Sequence, residues 1–315
     1  MGKLKALLLT QGMHGMISQV EGMAKALNAE YRHKIVRLSF PWNLIPAKFT
    51  PISAVILKDK IHITEEEMPD LVISCGRKSV VPSILLKKKN PKIFTIHVQD
   101  PKVSLNNFDV IIAPEHDDLN GDNVFSSKGA IHYITKDEIE KAKPYLVKKI
   151  NSTKIISLIL GGPNKYYSFE DNQLIQIFNK IKSNFVSEGY KVIIIPSMRT
   201  PKSSIELAKK EMDSYGYVVS SVDKQAYLSA YALANYVVVT CDSTSMISEA
   251  ATSGKPIFVA HMPAKKNNYR FKRFFELFKQ MGITKDLGEK VESWTYNKHN
   301  EAQRIAIEIK NKIKN

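Results

Sequence analysis

The stretch YVVVTCDSTSMISEAATSGKPIFVA, residues 236–260, constrains the fold more than any other part of the chain. Two apolar runs of strand length, 236–240 and 256–260, bracket a segment too long for a hairpin turn. They therefore enter one buried sheet in parallel, with a helix crossing between them. Asp242, Ser243, Thr244 and Ser245 are helix-capping types, Gly254 stands where a C-terminal cap belongs and Pro256 closes the segment, which places the helix over residues 244–253.

The start of a helix carries unpaired backbone N–H groups and a partial positive charge, so an anion, most often a phosphate, is a natural guest there. The hydroxyls of Ser243, Thr244 and Ser245 add donors to those amides. Glu249 lies a full turn beyond Ser245, too deep to complete a capping box on Asp242 or Ser243, and can accept hydrogen bonds from a ribose diol. A well-capped helix with a solvated glutamate has the same residues, and this unit by itself leaves both readings open.

The rest of the chain repeats the alternation. Strands are expected at 4–10, 33–39, 70–74, 92–98 and 109–113, with helices at 17–27 and 80–88. The basic, proline-containing KAKPYLVKKINSTK then separates a second series: strand 155–160, helix 171–188, strand 191–196, helix 203–214, strand 217–220 and helix 224–233. The expected architecture is α/β, with two Rossmann-like, doubly wound domains. The expected divisions are 1–150, 151–265 and a helical tail 266–315 whose last helix packs back toward the first domain. A length of 315 residues and a hydrophobic fraction of 43% suit two domains with substantial cores.

Ligands of open α/β sheets bind beyond the C-terminal ends of the strands. In the second domain those ends carry GGPNKYY (161–167), SMRTP (197–201) and the helix start. Gly161 and Gly162 permit close approach, Asn164 adds an amide, and Arg199 can hold a phosphate oxygen. None forms a P-loop, because Pro163 follows the second glycine and no GK[ST] occurs. In the first domain the strand ends carry QGMHG, CGRKS, HVQDP and PEHDD. Gly12, Arg77, His97, Gln99, Glu115 and His116 would line an acceptor-side wall, with His14 and Asp100 the candidates for a proton acceptor. Each of these also reads as a cap or a satisfied hydrogen-bond partner. Glu115, His116, Asp117 and Asp118 are consecutive and do not suit one ion, so no metal site and no cofactor is expected.

Lys plus Arg is 46 against 31 for Asp plus Glu, a net charge of +15. The basic residues are mostly lysines scattered along the chain, with no zinc-finger spacing or RNA-binding aromatic signature, so nucleic acid is not an expected partner. Attraction to anionic headgroups at a membrane periphery is the more natural outlet. Cys75 and Cys241 form neither a disulfide framework nor a metal motif, which suits a reducing, cytoplasmic setting. MGKLKALLLTQGMHG reads as a first strand rather than a signal peptide, and its sixth position lacks the hydroxyl of an acylation signal. The apolar stretch 39–58 is broken by three prolines, cannot span a bilayer as a regular helix, and is expected in the first core rather than touching lipid through Phe40, Trp42 and Phe49.

Taken in order, CGRKSVVPS, HVQDP, FDVIIAPEHD, GGPNK, SMRTP and VVTCDSTSMISEAATSGKP resemble the mitochondrial fission Elm-type family, and SEAATSGKP is similar to the donor-side segment of GT-B glycosyltransferases. The resemblance covers nearly the whole chain. It implies two domains facing a cleft and a nucleoside-diphosphate sugar in the second domain, with Glu249 reading the ribose and no metal required. The implied activity is sugar transfer to a lipid-linked or other cell-envelope acceptor. A nucleotide-sugar epimerase or hydrolase, and a non-catalytic scaffold in membrane fission, are the alternatives.

Overall fold

A computed structural model describes residues 3–59, 64, 67–288 and 291–314. Met1 and Gly2, which the acylation reading involved, lie outside the described residues. The first sheet contains β1 (Lys5–Thr10), β2 (Glu30–Ile35), β3 (Leu71–Cys75), β4 (Phe94–Val98), β5 (Val110–Pro114) and β6 (Val124–Ser127). All are parallel, in the order β2-β1-β3-β4-β5-β6. Helices α1 (His14–Ala26) and α2 (Arg77–Lys89) follow β1 and β3.

Next come α3 (Lys136–Ala142), α4 (Pro144–Val147), β7 (Ile155–Leu160), α5 (Asp171–Ile181), β8 (Lys191–Pro196), α6 (Lys202–Met212) and β9 (Gly216–Val218). The series ends with α7 (Lys224–Leu233), β10 (Tyr236–Thr240), α8 (Thr244–Ala251), β11 (Ile257–Ala260), α9 (Tyr269–Gln280), β12 (Thr284–Asp286) and α10 (Glu301–Lys314). The second sheet is also parallel, in the order β12-β11-β10-β7-β8-β9.

The chain forms two compact units, Met1–Tyr133 with Asn300–Asn315, and Ile134–His299. The first unit therefore ends well before the expected division near Asn151. The stretch read as a separator is structured: Ser229 on α7 accepts the Leu146 N–H at 3.1 Å and donates to the Lys143 carbonyl at 3.0 Å, which holds α3 and α4 in the second unit.

In the first unit one face of the sheet packs Leu8, Ile73, Ile96 and Ile112 against Val20 and Met23 of α1 and Ile305 and Ile309 of α10. The other face buries Leu7, Leu9 and Val72 against Val81 and Leu86 of α2. Helix α10 is anchored at its start by Glu301, whose buried carboxylate accepts from the Lys128 N–H at 2.8 Å and pairs with Arg304 at 2.8 Å. In the second unit β7 and β10 are buried along their whole lengths, which is why they read as continuous apolar runs.

Several expected elements differ. β2 lies at Glu30–Ile35, earlier than 33–39, because it is an exposed edge strand without an apolar face. β6 and β12 are short and were not anticipated. The long helix after β7 ends at Ile181 and continues as a wider turn over Lys182–Val186. Stretch 39–58 is only partly in the core: Ala47 and Ile56 are buried, whereas Phe40, Leu44, Phe49 and Val55 are exposed.

Ile305 is fully buried among the first unit's strands and α1. Ile305→Ala should cost about 3 kcal/mol. Denaturant unfolding followed by far-UV circular dichroism checks this, and an unchanged midpoint would remove α10 from that core.

Candidate functional site

The second sheet changes direction of growth between β7 and β10, since β8 and β9 extend one side and β11 and β12 the other. Such a switch point opens a crevice at the strands' C-terminal ends. Here it is organised by Asp242, whose side chain has no exposed surface. Its Oδ1 accepts from Thr240 Oγ1 at 2.7 Å, and its Oδ2 accepts from the Gly162 N–H at 3.0 Å and Arg199 Nη2 at 2.6 Å. Arg199 Nη1 donates to the Gly162 carbonyl at 2.7 Å, and the Gly161 N–H donates to Thr240 Oγ1 at 2.8 Å. Asn164 joins the loop to the same strand end, donating from Nδ2 to the Asp242 carbonyl at 3.0 Å while its Oδ1 accepts from the Tyr166 and Tyr167 N–H groups.

This packing explains the glycine pair. A Cβ on Gly161 would lie 2.1 Å from Asp242 Oδ2, and one on Gly162 would lie 2.0 Å from the Arg199 carbonyl oxygen. The closeness that a Gly-Gly turn permits is spent on the protein's own carboxylate and backbone. Arg199 spends two of its donors in the same way, yet 39% of its side chain remains exposed.

Helix α8 starts beside this cluster. Ser243 is its cap, its Oγ accepting from the Met246 N–H at 3.3 Å, and Thr244 and Ser245 in the first turn are half-buried. One turn further, Glu249 Oε2 accepts from the Tyr227 hydroxyl at 2.5 Å, and the Tyr231 hydroxyl donates to Tyr227 Oη at 2.7 Å. Burial pushes the Glu249 carboxyl up to about 7, only partly opposed by the Tyr227 bond. Burial and the Glu249 charge push both phenols well above their usual range. As residues, Glu249 and Tyr227 are half-buried and Tyr231 is fully buried, so the hydroxyl chain runs from the Glu249 carboxyl into the core.

Beyond β11 the same sheet edge holds an open hollow of about 680 Å³ lined by Tyr167, His261, Lys266, Asn268 and Lys272. His261 Nε2 meets Asp286 Oδ1 at 2.7 Å. The Asp286 carboxyl is raised by burial but brought below its usual range overall by His261 and Lys279.

The expected residues of the first unit differ in burial and in partners. His97 is buried, bonded through Nδ1 to Ser74 Oγ at 2.8 Å, and burial pushes its imidazole down to about 3. Arg77 donates to the carbonyls of Trp42, Asn43 and Ile45. Gln99, at φ +83°, donates to Gln19 at 3.3 Å. Asp100 is raised by burial but held below its usual range by Lys102, whose Nζ stands 2.5 Å away. Gly12, His14 and Glu115 are exposed, and the His14 ring meets Tyr133 edge-on with centroids 6.5 Å apart. The His116 side chain lies outside the described residues.

Three residues that organise the site were not singled out from sequence: Asp242, read as one capping type among several, and Tyr227 and Tyr231. The tyrosines stand four apart on one helix, a spacing that would have placed both hydroxyls on one face. Nothing in the local sequence distinguishes Asp242 from an ordinary cap. Among the described residues no group of three or more His, Cys, Asp or Glu side chains could hold a metal ion. Among them, too, no helix is long and apolar enough to cross a membrane.

Residues 14–313 match the family described as mitochondrial fission ELM1. An uncharacterized protein of Rickettsia prowazekii (strain Madrid E) is 27% identical, over 95% of this chain and 94% of its own length. Mitochondrial fission protein ELM1 of Arabidopsis thaliana is 23% identical over 79% of this chain, which spans only 65% of the plant protein. Among solved structures, UDP-GlcNAc 2-epimerase from Neisseria meningitidis bound to UDP-GlcNAc superposes with a TM-score of 0.52 at 12% identity, covering 98% of this chain and 100% of that one. The fold is thus of the GT-B type.

Asp242→Ala should cost about 1–3 kcal/mol, because it leaves the buried Gly162 N–H and Thr240 hydroxyl without their acceptor, while Asp242→Asn, which keeps the shape, should cost less. Thermal unfolding of the two variants checks the order. Glu249 gives a pH signature. Its folded pKa, about 7, lies above the ordinary 4.5, so the folded state binds the extra proton and its contribution is lost as pH rises between those values. From about pH 5 to about pH 8, wild type should lose about 2 kcal/mol relative to Glu249→Gln, which cannot ionise.

Proposed function

The chain belongs to the mitochondrial fission ELM1 family, and from that premise we propose that its second unit binds a nucleoside-diphosphate sugar and that the protein passes the sugar to a cell-envelope acceptor. The observation that carries this reading is the placement of Glu249. A carboxylate one turn into the helix that starts at the switch point, half-buried and steadied by Tyr227, suits a ribose whose phosphates lie at the helix start.

In this reading Ser243, Thr244 and Ser245 and the exposed edge of Arg199 take the diphosphate. Gly161, Gly162 and Asn164 hold the loop in shape beneath it, and Glu249 accepts from the ribose hydroxyls. The hollow beyond β11 leaves room for the sugar. An acceptor oxygen would attack the anomeric carbon as the bond from that carbon to the phosphate oxygen breaks, leaving the electron pair on the diphosphate. Donors fixed at the helix start before reaction stabilise that leaving charge, the largest expected catalytic contribution. Among the first unit's candidates, His14 is the exposed base that could take the acceptor proton if the reaction inverts. Asp100 is already engaged by Lys102.

A second reading, epimerisation of the nucleotide sugar without any acceptor, is supported by the likeness to an epimerase bound to UDP-GlcNAc. The two differ in product, since transfer releases free nucleoside diphosphate and glycosylated acceptor, whereas epimerisation returns an isomeric nucleotide sugar.

Thermal unfolding with a panel of nucleoside diphosphates tests the binding site. Ligand at a hundred times its dissociation constant adds about 2.7 kcal/mol. One diphosphate should raise the melting temperature, and Glu249→Ala should diminish that rise. No shift with any diphosphate would overturn this reading and favour a scaffold that acts through protein partners.

A further inference from the structure

Residues 31–58 contain no Asp or Glu, yet they carry Arg32, Lys34, Arg37, Lys48 and Lys58. After β2 the chain leaves the first sheet and returns as an arch tied at its feet. Leu38 and Leu57 form an antiparallel bridge, and the Ser39 N–H and Oγ both donate to the Ile56 carbonyl, at 2.8 and 3.0 Å. The inner side is fixed to the core: Ile56 packs with Val36, Leu38 and Val81, and Ala47 packs with Val80, Ile84 and Phe108. The Arg77 guanidinium clamps the carbonyls of Trp42, Asn43 and Ile45.

These ties settle which side chains can turn inward. Phe40, Leu44, Phe49 and Val55 remain 79%, 73%, 66% and 75% exposed, with Ile52 at 41%. A folded chain rarely leaves so many large apolar side chains in one short segment facing water unless they meet something else. Here the backbone is held so that they stay outside.

We propose that this arch enters the interface of an anionic lipid bilayer. Pro41, Pro46 and Pro51 separate the apolar residues, which can enter the acyl boundary individually. Arg37, Lys48 and Lys58 are exposed in the same stretch and meet the phosphates above it, and Lys48 already stands 4.6 Å from the Phe49 ring centroid. Within residues 31–58 no carboxylate repels the headgroups; Asp59 follows at the arch's foot, and Arg32 is paired with Glu67 at 3.4 Å and left out of the lipid contact. A second copy would set the same run of cations against itself, which disfavours self-association. This inference is independent of the nucleotide site.

The test is co-sedimentation of the full chain with phosphatidylcholine vesicles, with and without about a third phosphatidylglycerol. Wild type should sediment with the anionic vesicles. The variant F40S/L44S/F49S should bind at least about tenfold more weakly, and Lys48→Ala with Lys58→Ala about fivefold more weakly per charge. Ile307→Ser, which alters an exposed position on α10, should leave binding unchanged. Circular dichroism of the variants separates lost binding from lost fold. Wild type that sediments with neither vesicle, or a triple serine variant that still binds as wild type does, would overturn the proposal. So would a wild-type dimer that the triple variant converts to monomer without any lipid binding, which would assign the arch to a second copy.

Discussion

The carboxylate of Asp242 is the constraint on which the second unit's switch-point edge depends. Three strand ends meet at the switch point, bringing the buried Thr240 hydroxyl, the buried Gly162 N–H and the partly exposed Arg199 guanidinium. One buried carboxylate satisfies all three. A buried ion pair returns little net stability once desolvation is counted. Its effect here is geometric, because any other arrangement of the three ends would leave a charge or a donor unpaired. The glycine turn and the start of α8 are placed by the same carboxylate.

Glu249 is held in a different way. Asp242 has a full set of donors around it, whereas Glu249 has the Tyr227 hydroxyl and a burial that pushes its carboxyl up to about 7. A carboxylate left half-buried, with spare acceptor capacity, is costly to the fold and useful to a ligand that brings its own hydroxyls. The contrast between the two acids, one spent on structure and one with acceptor capacity left, is what supports the proposed ribose position at the second.

The first unit has the same kind of sheet but a different filling at its switch point. Between β1 and β3, Gly76 at φ +87° leaves no room for a side chain because Met16 and Gln11 occupy the space, and Gln11 Nε2 donates to Met16 Sδ at 3.3 Å. His97, Arg77 and Gln99, all polar and all at strand ends, are tied into the protein itself. Arg77 shows how far such a tie reaches: by holding the carbonyls of Trp42, Asn43 and Ile45 it fixes the backbone of the arch around the exposed Leu44.

The sequence by itself determined the alternating α/β order, the parallel sheets and the capped helix at Ser243, because β-branched runs, helix caps and prolines act within a few residues of themselves. It also located the strand ends that carry Gly161, Arg199 and the helix start at Ser243. Edge strands such as β2 and β12 escaped it, since an exposed or very short strand carries no apolar pattern. Only the tertiary structure decided what each polar side chain does. Asp242 and an ordinary capping aspartate look alike in sequence, and the difference arises from Arg199 and Gly162 arriving from other strands. The same holds for α10, which joins the first unit's core from the far end of the chain, and for the arch, whose backbone is held in part by a guanidinium more than thirty residues away. Long-range contacts assign these roles because burial and hydrogen-bond satisfaction are properties of the packed chain, whereas local propensity is a property of the residue.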